Sequence, residues 1–85
     1  MAQRRVLVTG AGAPGGIGIA VARALAAAGD AVAICATSAR IHDRAAELRA
    51  EGLDVTAHIA DLTDPAQVLQ LRDAVGPVSV LVNNA

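Results

Sequence analysis

The 85-residue sequence contains no phenylalanine, tryptophan or tyrosine, and all seven of its basic residues are arginine. Without tyrosine or lysine the chain has no phenol and no ε-amine to serve as an acid, a base or a Schiff-base partner. A phosphate loop that ends in Gly-Lys-Ser or Gly-Lys-Thr is excluded for the same reason. Since there is also no aromatic platform for base stacking, and the formal net charge is −1, we expect no nucleic-acid partner.

Long apolar runs and cysteine pairs are missing as well. No uninterrupted apolar run approaches the ~18 residues of a membrane span, and Gly10, Gly12 and Pro14 break the first apolar stretch too early for a secretory leader. The single cysteine, Cys35, has no partner for a disulfide and is expected to be a buried thiol. We therefore expect a cytoplasmic protein with no membrane partner.

The composition is nevertheless unusually apolar. Hydrophobic residues make up 54% of the sequence and the mean hydropathy is +0.49. A chain of this length forms one domain, residues 1–85, and such a domain buries only roughly 60–65% of its unfolded surface. Apolar residues beyond what one small core can cover indicate an obligate partner or membership of a larger structure.

The hydrophobic pattern alternates between strands and helices. We predict strands over residues 6–8, 31–36, 55–60 and 78–82, and helices over residues 17–28, 41–50 and 65–75. The last helix has a clear start, because Asp64 provides an N-cap and Pro65 occupies the first helical position. Strand–helix units of this length pair through right-handed crossovers, so we predict an α/β fold with a parallel sheet and helices on both faces.

The two outer strands differ in character. Thr56 and His58 make the third strand less apolar, which favours a place at the sheet edge. The last strand, residues 78–82, is nearly all apolar, as a central strand would be, and no later segment covers it. A bare apolar edge promotes aggregation. We therefore expect a sheet that is truncated after its fourth strand and a chain that aggregates through that strand.

A glycine-rich segment joins the first strand to the first helix. Between Gly10 and Gly18 the sequence reads Gly-Ala-Gly-Ala-Pro-Gly-Gly-Ile-Gly. Glycines in this context permit positive φ, let the backbone approach a pyrophosphate and allow the helix to pack closely on the strand. The start of the following helix offers unpaired N–H groups to phosphates. The segment therefore predicts a Rossmann-type dinucleotide site, whereas a plain connector would not need this many glycines.

Three ordered motifs resemble those of the short-chain dehydrogenase/reductases. Thr9-Gly10 followed by Gly16, Ile17 and Gly18 is similar to the family's Thr-Gly-x-x-x-Gly-x-Gly signature. Two further matches follow the third and fourth strands, namely Asp61-Leu62 and Asn83-Asn84-Ala85. The resemblance covers the whole chain. It implies the first four strands of a doubly wound Rossmann-type fold and a dinucleotide cofactor bound in part by Gly10, Gly12, Gly16, Ile17 and Gly18.

The glycine segment departs from the family pattern in length. Five residues separate Gly10 from Gly16, where the common pattern has three. The longer loop is similar to that of the enoyl-reductase branch, whereas Gly16-Ile17-Gly18 and the Asn-Asn-Ala end favour the main branch. The backbone amides that meet the phosphates are therefore open between Gly12 and Gly15.

The end of the second strand bears on the choice of nicotinamide cofactor. An NAD-selective site places a carboxylate there for the ribose 2′-hydroxyl. Here Thr37, Ser38 and Arg40 follow the strand, and no acid occurs until Asp43. Hydroxyl groups and a guanidinium suit a 2′-phosphate, so we predict NADP(H) over NAD(H). In the alternative, Thr37 or Ser38 only caps the next helix and Arg40 is solvated surface.

The same resemblance implies roles for the later motifs. Asp61 would accept a hydrogen bond from the adenine amino group, with the Leu62 backbone beside it. Asn84 would border the ribose nearest the nicotinamide, and Asn83 would tie strands together. In the alternative, Asp61 only caps the end of its strand and each Asn is a turn residue. His42 and His58 lack the spacing of metal ligands, so no metal site is predicted.

The chain carries no catalytic residue of the family. There a tyrosine, assisted by a lysine and a serine, donates the proton, and these residues lie after the last motif present here. The Ala-Thr-Ser run at residues 36–38 is similar to that of 3-oxoacyl-acyl-carrier-protein reductases. We therefore predict the cofactor-binding N-terminal part of an NADP(H)-dependent oxidoreductase of carbonyl or hydroxyl substrates, inactive alone and homo-oligomeric at full length. The alternatives are a standalone, non-catalytic dinucleotide-binding or regulatory module, or a relative of the enoyl reductases, which the length of the glycine loop suggests.

Overall fold

A computed structural model describes residues 3–84, so Ala85 of the predicted Asn-Asn-Ala motif lies outside the described residues. Strands and helices alternate along that range. In chain order they are β1 (Arg5–Thr9), α1 (Ile17–Ala27), β2 (Ala31–Ala36), α2 (Arg40–Ala50), β3 (Val55–Ile59), α3 (Pro65–Val75) and β4 (Val80–Val82). No helix within residues 3–84 is long and apolar enough to cross a membrane.

The helix and strand boundaries agree with the predicted ones to within one residue, except at the start of β4. The predicted α3 start is confirmed, because the Asp64 carboxylate accepts from the N–H of Ala66 at 3.0 Å and Pro65 follows the cap. The last strand was expected from residue 78 and begins at Val80. Its ladder with β1 starts at the pair Val6↔Val80, and the Ser79 N–H just before it donates to the Arg5 carbonyl at 2.8 Å.

The four strands form one parallel sheet in the order β3-β2-β1-β4. This is the beginning of the order found in doubly wound dinucleotide-binding folds. The prediction that the third strand lies at an edge is confirmed, and β4 forms the other edge of the described sheet. Because all strands run the same way, the loops after β1, β2, β3 and β4 meet at one end of the sheet.

Helices cover both faces, as predicted, but unequally. On one face, α1 and α2 pack against the sheet through fully or almost fully buried residues, which are Val6, Val8, Ile19, Ala22, Ala26, Val32, Ile34, Ile41, Ala45, Leu48 and Val55. On the other face α3 buries Leu71 in a small cluster with Cys35 and Ala60. The predicted buried thiol of Cys35 is confirmed, with 1% of the residue exposed.

Candidate cofactor site

A cavity of about 420 Å³ opens at the carboxyl ends of β1, β2 and β3. It is the place that the parallel topology dictates for a ligand. The predicted site residues that line it are Gly10, Gly12, Thr37, Ser38, Arg40, Asp61 and Leu62. The structure therefore brings together three segments that are far apart in the sequence.

The glycine loop takes a conformation that requires glycine at two positions. Gly10 and Gly15 have φ values of +68° and +69°, in the left-handed region that side chains disfavour. Gly12 is favoured for a different reason, because a Cβ added there would lie 3.0 Å from the Cβ of Ala36 and would crowd it. The loop therefore lies directly on the end of β2, where the N–H of Ala11 also donates to the Cys35 carbonyl at 3.2 Å.

The start of α1 leaves backbone donors available. Gly16 is the N-cap and provides no side-chain acceptor, and the first turn carries no acidic residue. The N–H groups of Gly12, Ile17 and Gly18 have no hydrogen-bond partner within residues 3–84. Such unpaired donors and the positive end of the helix dipole favour an anion. Of the two amides left open by the sequence, Gly12 lines the cavity and Gly15 does not.

Gly18 and Asn84 form the contact between α1 and the segment after β4. A Cβ on Gly18 would lie 2.8 Å from Asn84 Nδ2 and 2.9 Å from the Gly10 carbonyl oxygen. Asn84 Nδ2 donates to that carbonyl at 3.1 Å, and the Asn84 N–H donates to the buried Thr9 hydroxyl at 3.2 Å. Asn84 therefore ties β4 to the glycine loop. Its predicted place beside the ribose stays a prediction.

Gly16 and Ile17 were predicted as site residues and do not line the cavity. They lie at the start of α1, where the Ile17 side chain is 75% exposed.

The polar residues after β2 do not cap the helix that follows them. The N-cap of α2 is Ala39, which makes no side-chain capping hydrogen bond. Thr37, Ser38 and Arg40 are exposed, and their side chains make no hydrogen bond or ion pair within residues 3–84. The capping part of the alternative is therefore excluded for Thr37 and Ser38, whereas Arg40 is exposed to solvent, as the alternative held. Two hydroxyls and one guanidinium remain available at the cavity.

Asp61 is held at the end of β3 by its neighbours. Its Oδ1 accepts from the Thr63 hydroxyl at 2.6 Å and from the Thr63 N–H at 2.9 Å, and these bonds keep the pKa of the carboxyl below its usual range. The Asp61 N–H donates to Gln67 Oε1 at 2.7 Å. Asp61 does cap a turn, as the alternative held, and it lines the cavity at the same time.

Several lining residues were not predicted from the sequence. They are Ala13, Cys35, Ala36, Ala60 and Thr63. The spacing Asp61-x-Thr63 is a local signal for the observed turn, because short polar side chains bond the backbone two residues on. Ala36 carries no such signal, since its importance comes from the approach of Gly12 across the loop. Within residues 3–84 no group of histidine, cysteine and acidic side chains is arranged to hold a metal ion.

Comparison with known proteins gives the family. A family profile described as short chain dehydrogenase matches residues 4–85. The chain belongs to the short-chain dehydrogenase family. Among curated members of that family, the short chain dehydrogenase/reductase dpchG of Colletotrichum higginsianum is 47% identical over 90 residues, covering 100% of this chain and 33% of the relative. The predicted family resemblance is confirmed.

Solved structures of this family share the fold. An actinorhodin polyketide ketoreductase solved with NADPH matches at a TM-score of 0.83 and 35% identity, covering 98% of this chain and 33% of that one. A metagenomic short-chain oxidoreductase in complex with NADP matches at a TM-score of 0.82 and 32% identity, covering 96% of this chain and 38% of that one. The chain thus spans about a third of the length of these relatives.

Proposed function

We propose that this chain binds NADP(H) as the cofactor-binding part of an oxidoreductase that acts on carbonyl or hydroxyl groups. The observation that carries the proposal is the cavity itself. It joins the glycine loop, the acid-free end of β2 and the carboxylate of Asp61 at one edge of a parallel sheet. The absence of side chains at Gly12 and Gly18 lets the glycine loop lie against β2 and lets α1 lie against the loop, which brings the start of α1 close to the cavity.

The charge distribution supports a phosphorylated ribose. Asp61 is the only carboxylate that lines the cavity within residues 3–84, and it follows β3 rather than β2. Thr37, Ser38 and Arg40 would bind the 2′-phosphate through two hydroxyls and a guanidinium fork. The pyrophosphate would lie over Gly12 and the unpaired N–H groups of α1. Two family members of the same fold were solved with NADPH and NADP, which favours the same cofactor here.

The role of the chain in the reaction follows from its composition. When bound, the reduced cofactor would supply the hydride that adds to a carbonyl carbon, and the oxidised cofactor would accept the hydride that leaves a carbinol carbon. Residues 1–85 contain no tyrosine or lysine, so they supply no phenolic proton donor and their contribution is to bind and orient the cofactor. The likeness to a polyketide ketoreductase favours a 3-oxoacyl substrate for the whole enzyme.

Equilibrium binding of NADPH and NADH, followed by the fluorescence of the reduced nicotinamide, tests the cofactor preference. We expect NADPH to bind at least about tenfold more tightly than NADH, because a charge-assisted hydrogen bond contributes about 1.5–3 kcal/mol. Arg40→Gln should weaken NADPH binding by about tenfold or more and leave NADH binding unchanged. Arg72→Gln removes an exposed arginine on α3 and serves as the matched control. NADH binding as tight as that of NADPH would overturn the proposed preference.

A further inference from the structure

The segment that follows β3 presents one unpaired donor and one unpaired acceptor side by side. On either side of Leu62, the N–H groups of residues 60, 61, 63 and 64 are all bonded. The N–H of Leu62 has no partner within residues 3–84, and neither has Oδ2 of Asp61. Both residues line the cavity.

Two side chains outside this pair produce the pattern. Thr63 engages Oδ1 of Asp61 through both its hydroxyl and its N–H, so only Oδ2 remains to accept a further bond. Gln67, in the first turn of α3, accepts the Asp61 N–H at 2.7 Å, so that donor is removed from competition. Gln67 is itself fixed, because its Nε2 donates to Oδ2 of Asp64 at 3.1 Å.

The two unpaired groups, the Asp61 Oδ2 acceptor and the Leu62 N–H donor, complement adenine but not hypoxanthine. Adenine offers an amino group as donor and N1 as acceptor, which complements the Asp61 carboxylate and the Leu62 N–H. Hypoxanthine offers a carbonyl oxygen and an N1–H in the same places, so acceptor would face acceptor and donor would face donor. An unmatched polar contact in a partly desolvated site costs more than a missing one.

We propose, resting on the dinucleotide site above, that Thr63 and Gln67 are positioning residues that make this site selective for the adenine base. Thr63 leaves only Oδ2 of Asp61 to accept a hydrogen bond from the base. Gln67 occupies the Asp61 N–H, so the Leu62 N–H is the one backbone donor left for the base. Neither residue touches the reacting end of the cofactor, so their effect is confined to recognition of the base.

Binding of NADPH and of its hypoxanthine analogue to the same protein tests the proposal. We expect the wild type to bind NADPH at least about tenfold more tightly than the analogue. Thr63→Val should reduce that ratio by about threefold to tenfold, and Thr63→Ser, which restores the hydroxyl, should recover it. Gln67→Leu should also reduce the ratio, because the Asp61 N–H becomes available to the hypoxanthine carbonyl. Gln70→Leu makes the same change at an exposed position of α3 and should leave the ratio unchanged.

The possible results separate this proposal from the cofactor proposal. Tight NADPH binding with a selectivity ratio near one in the wild type would overturn the role of Thr63 and Gln67 while the dinucleotide site stands. A weaker affinity for both ligands in Thr63→Val and Gln67→Leu, with an unchanged ratio, would show that the two residues only stabilise the loop. A wild type that binds neither ligand would overturn both proposals.

Discussion

The two faces of the sheet differ in how completely helices cover them. On the face of α1 and α2, Ile34 and Leu48 have no measurable exposure. On the face of α3, Leu81 of β4 is 60% exposed, and Leu69 on α3 itself is 50% exposed. Since burial of apolar surface is the main favourable term in folding, we infer that the stability of residues 3–84 rests mainly on the first face.

The largest effect should come from one matched pair of leucines on helices. Leu48→Ala in α2 removes a fully buried side chain and should lower the free energy of unfolding by about 2–5 kcal/mol. Leu69→Ala in α3 should change it by about 0.5 kcal/mol or less, because half of that side chain is already in water. Urea denaturation measures both. Equal losses would show that the two faces contribute alike.

A second substitution tests why α1 lies so close to the sheet. Gly18→Ala introduces a methyl group 2.8 Å from Asn84 Nδ2 and 2.9 Å from a backbone oxygen, and should cost about 1–3 kcal/mol of stability. NADPH binding should weaken as well, because the helix start moves. In Gly16→Ala the new methyl group meets only Ala13, at 3.2 Å from its carbonyl oxygen, so the loss should be smaller. A Gly18→Ala variant as stable as the wild type would show that α1 can withdraw without cost.

The smallest effects should appear as two separate steps in the dependence of stability on pH. His58 lies on the α3 side of β3, where burial, and then the charge of His42, lower its pKa. The unfolded chain therefore binds a proton more readily, and stability should fall as the pH drops below ~6.5 and through the lowered folded pKa. His58→Gln should abolish this step in urea midpoints measured from pH 8 to pH 5.

The second step belongs to Asp30, at the end of α1. Arg4 donates to its carboxylate at 2.8 Å and 3.2 Å, and these hydrogen bonds lower the pKa of Asp30. The stabilisation that this interaction gives the folded state is present above the pKa of Asp30 in the unfolded chain. It should be lost as the pH falls from ~4 through the lowered pKa of Asp30 in the folded chain. Asp30→Asn should remove this step, whereas Asp73→Asn, in an exposed pair with Arg72, should not alter the profile. A single step that neither variant changes would contradict both assignments.

Much of the fold could be predicted from the sequence because its signals are local. Apolar runs of strand length, the Asp64-Pro65 start of α3 and the glycine ends of the helices determine the order of the elements. The parallel order dictates that the ends of β1, β2 and β3 meet, and this brings Gly10, Thr37 and Asp61 to one cavity. The confirmed edge position of β3 followed from Thr56 and His58.

The parts that could not be predicted depend on contacts between distant segments. Thr63 is an exception, because it lies two residues from Asp61 and the Asp-x-Thr spacing is a signal for their turn, although not for the carboxylate oxygen that Thr63 engages. The bond from the Asn84 side chain to the Gly10 carbonyl joins residues at opposite ends of the chain. The bare apolar edge, in contrast, was predicted from the composition of the fourth strand, and the described sheet does end at β4, with Leu81 60% exposed.

The close approach of Gly12 to Ala36 links the side-chain volumes permitted at two distant positions. With 3.0 Å between the Cβ of Ala36 and a Cβ at position 12, there is room for a side chain at one position only if the other gives way. Substitutions that enlarge residue 36 should therefore lift the glycine loop and narrow the space for the pyrophosphate. Among natural variants of this protein, we expect residues 12 and 36 to change together, with a larger side chain at one accompanied by the smallest at the other.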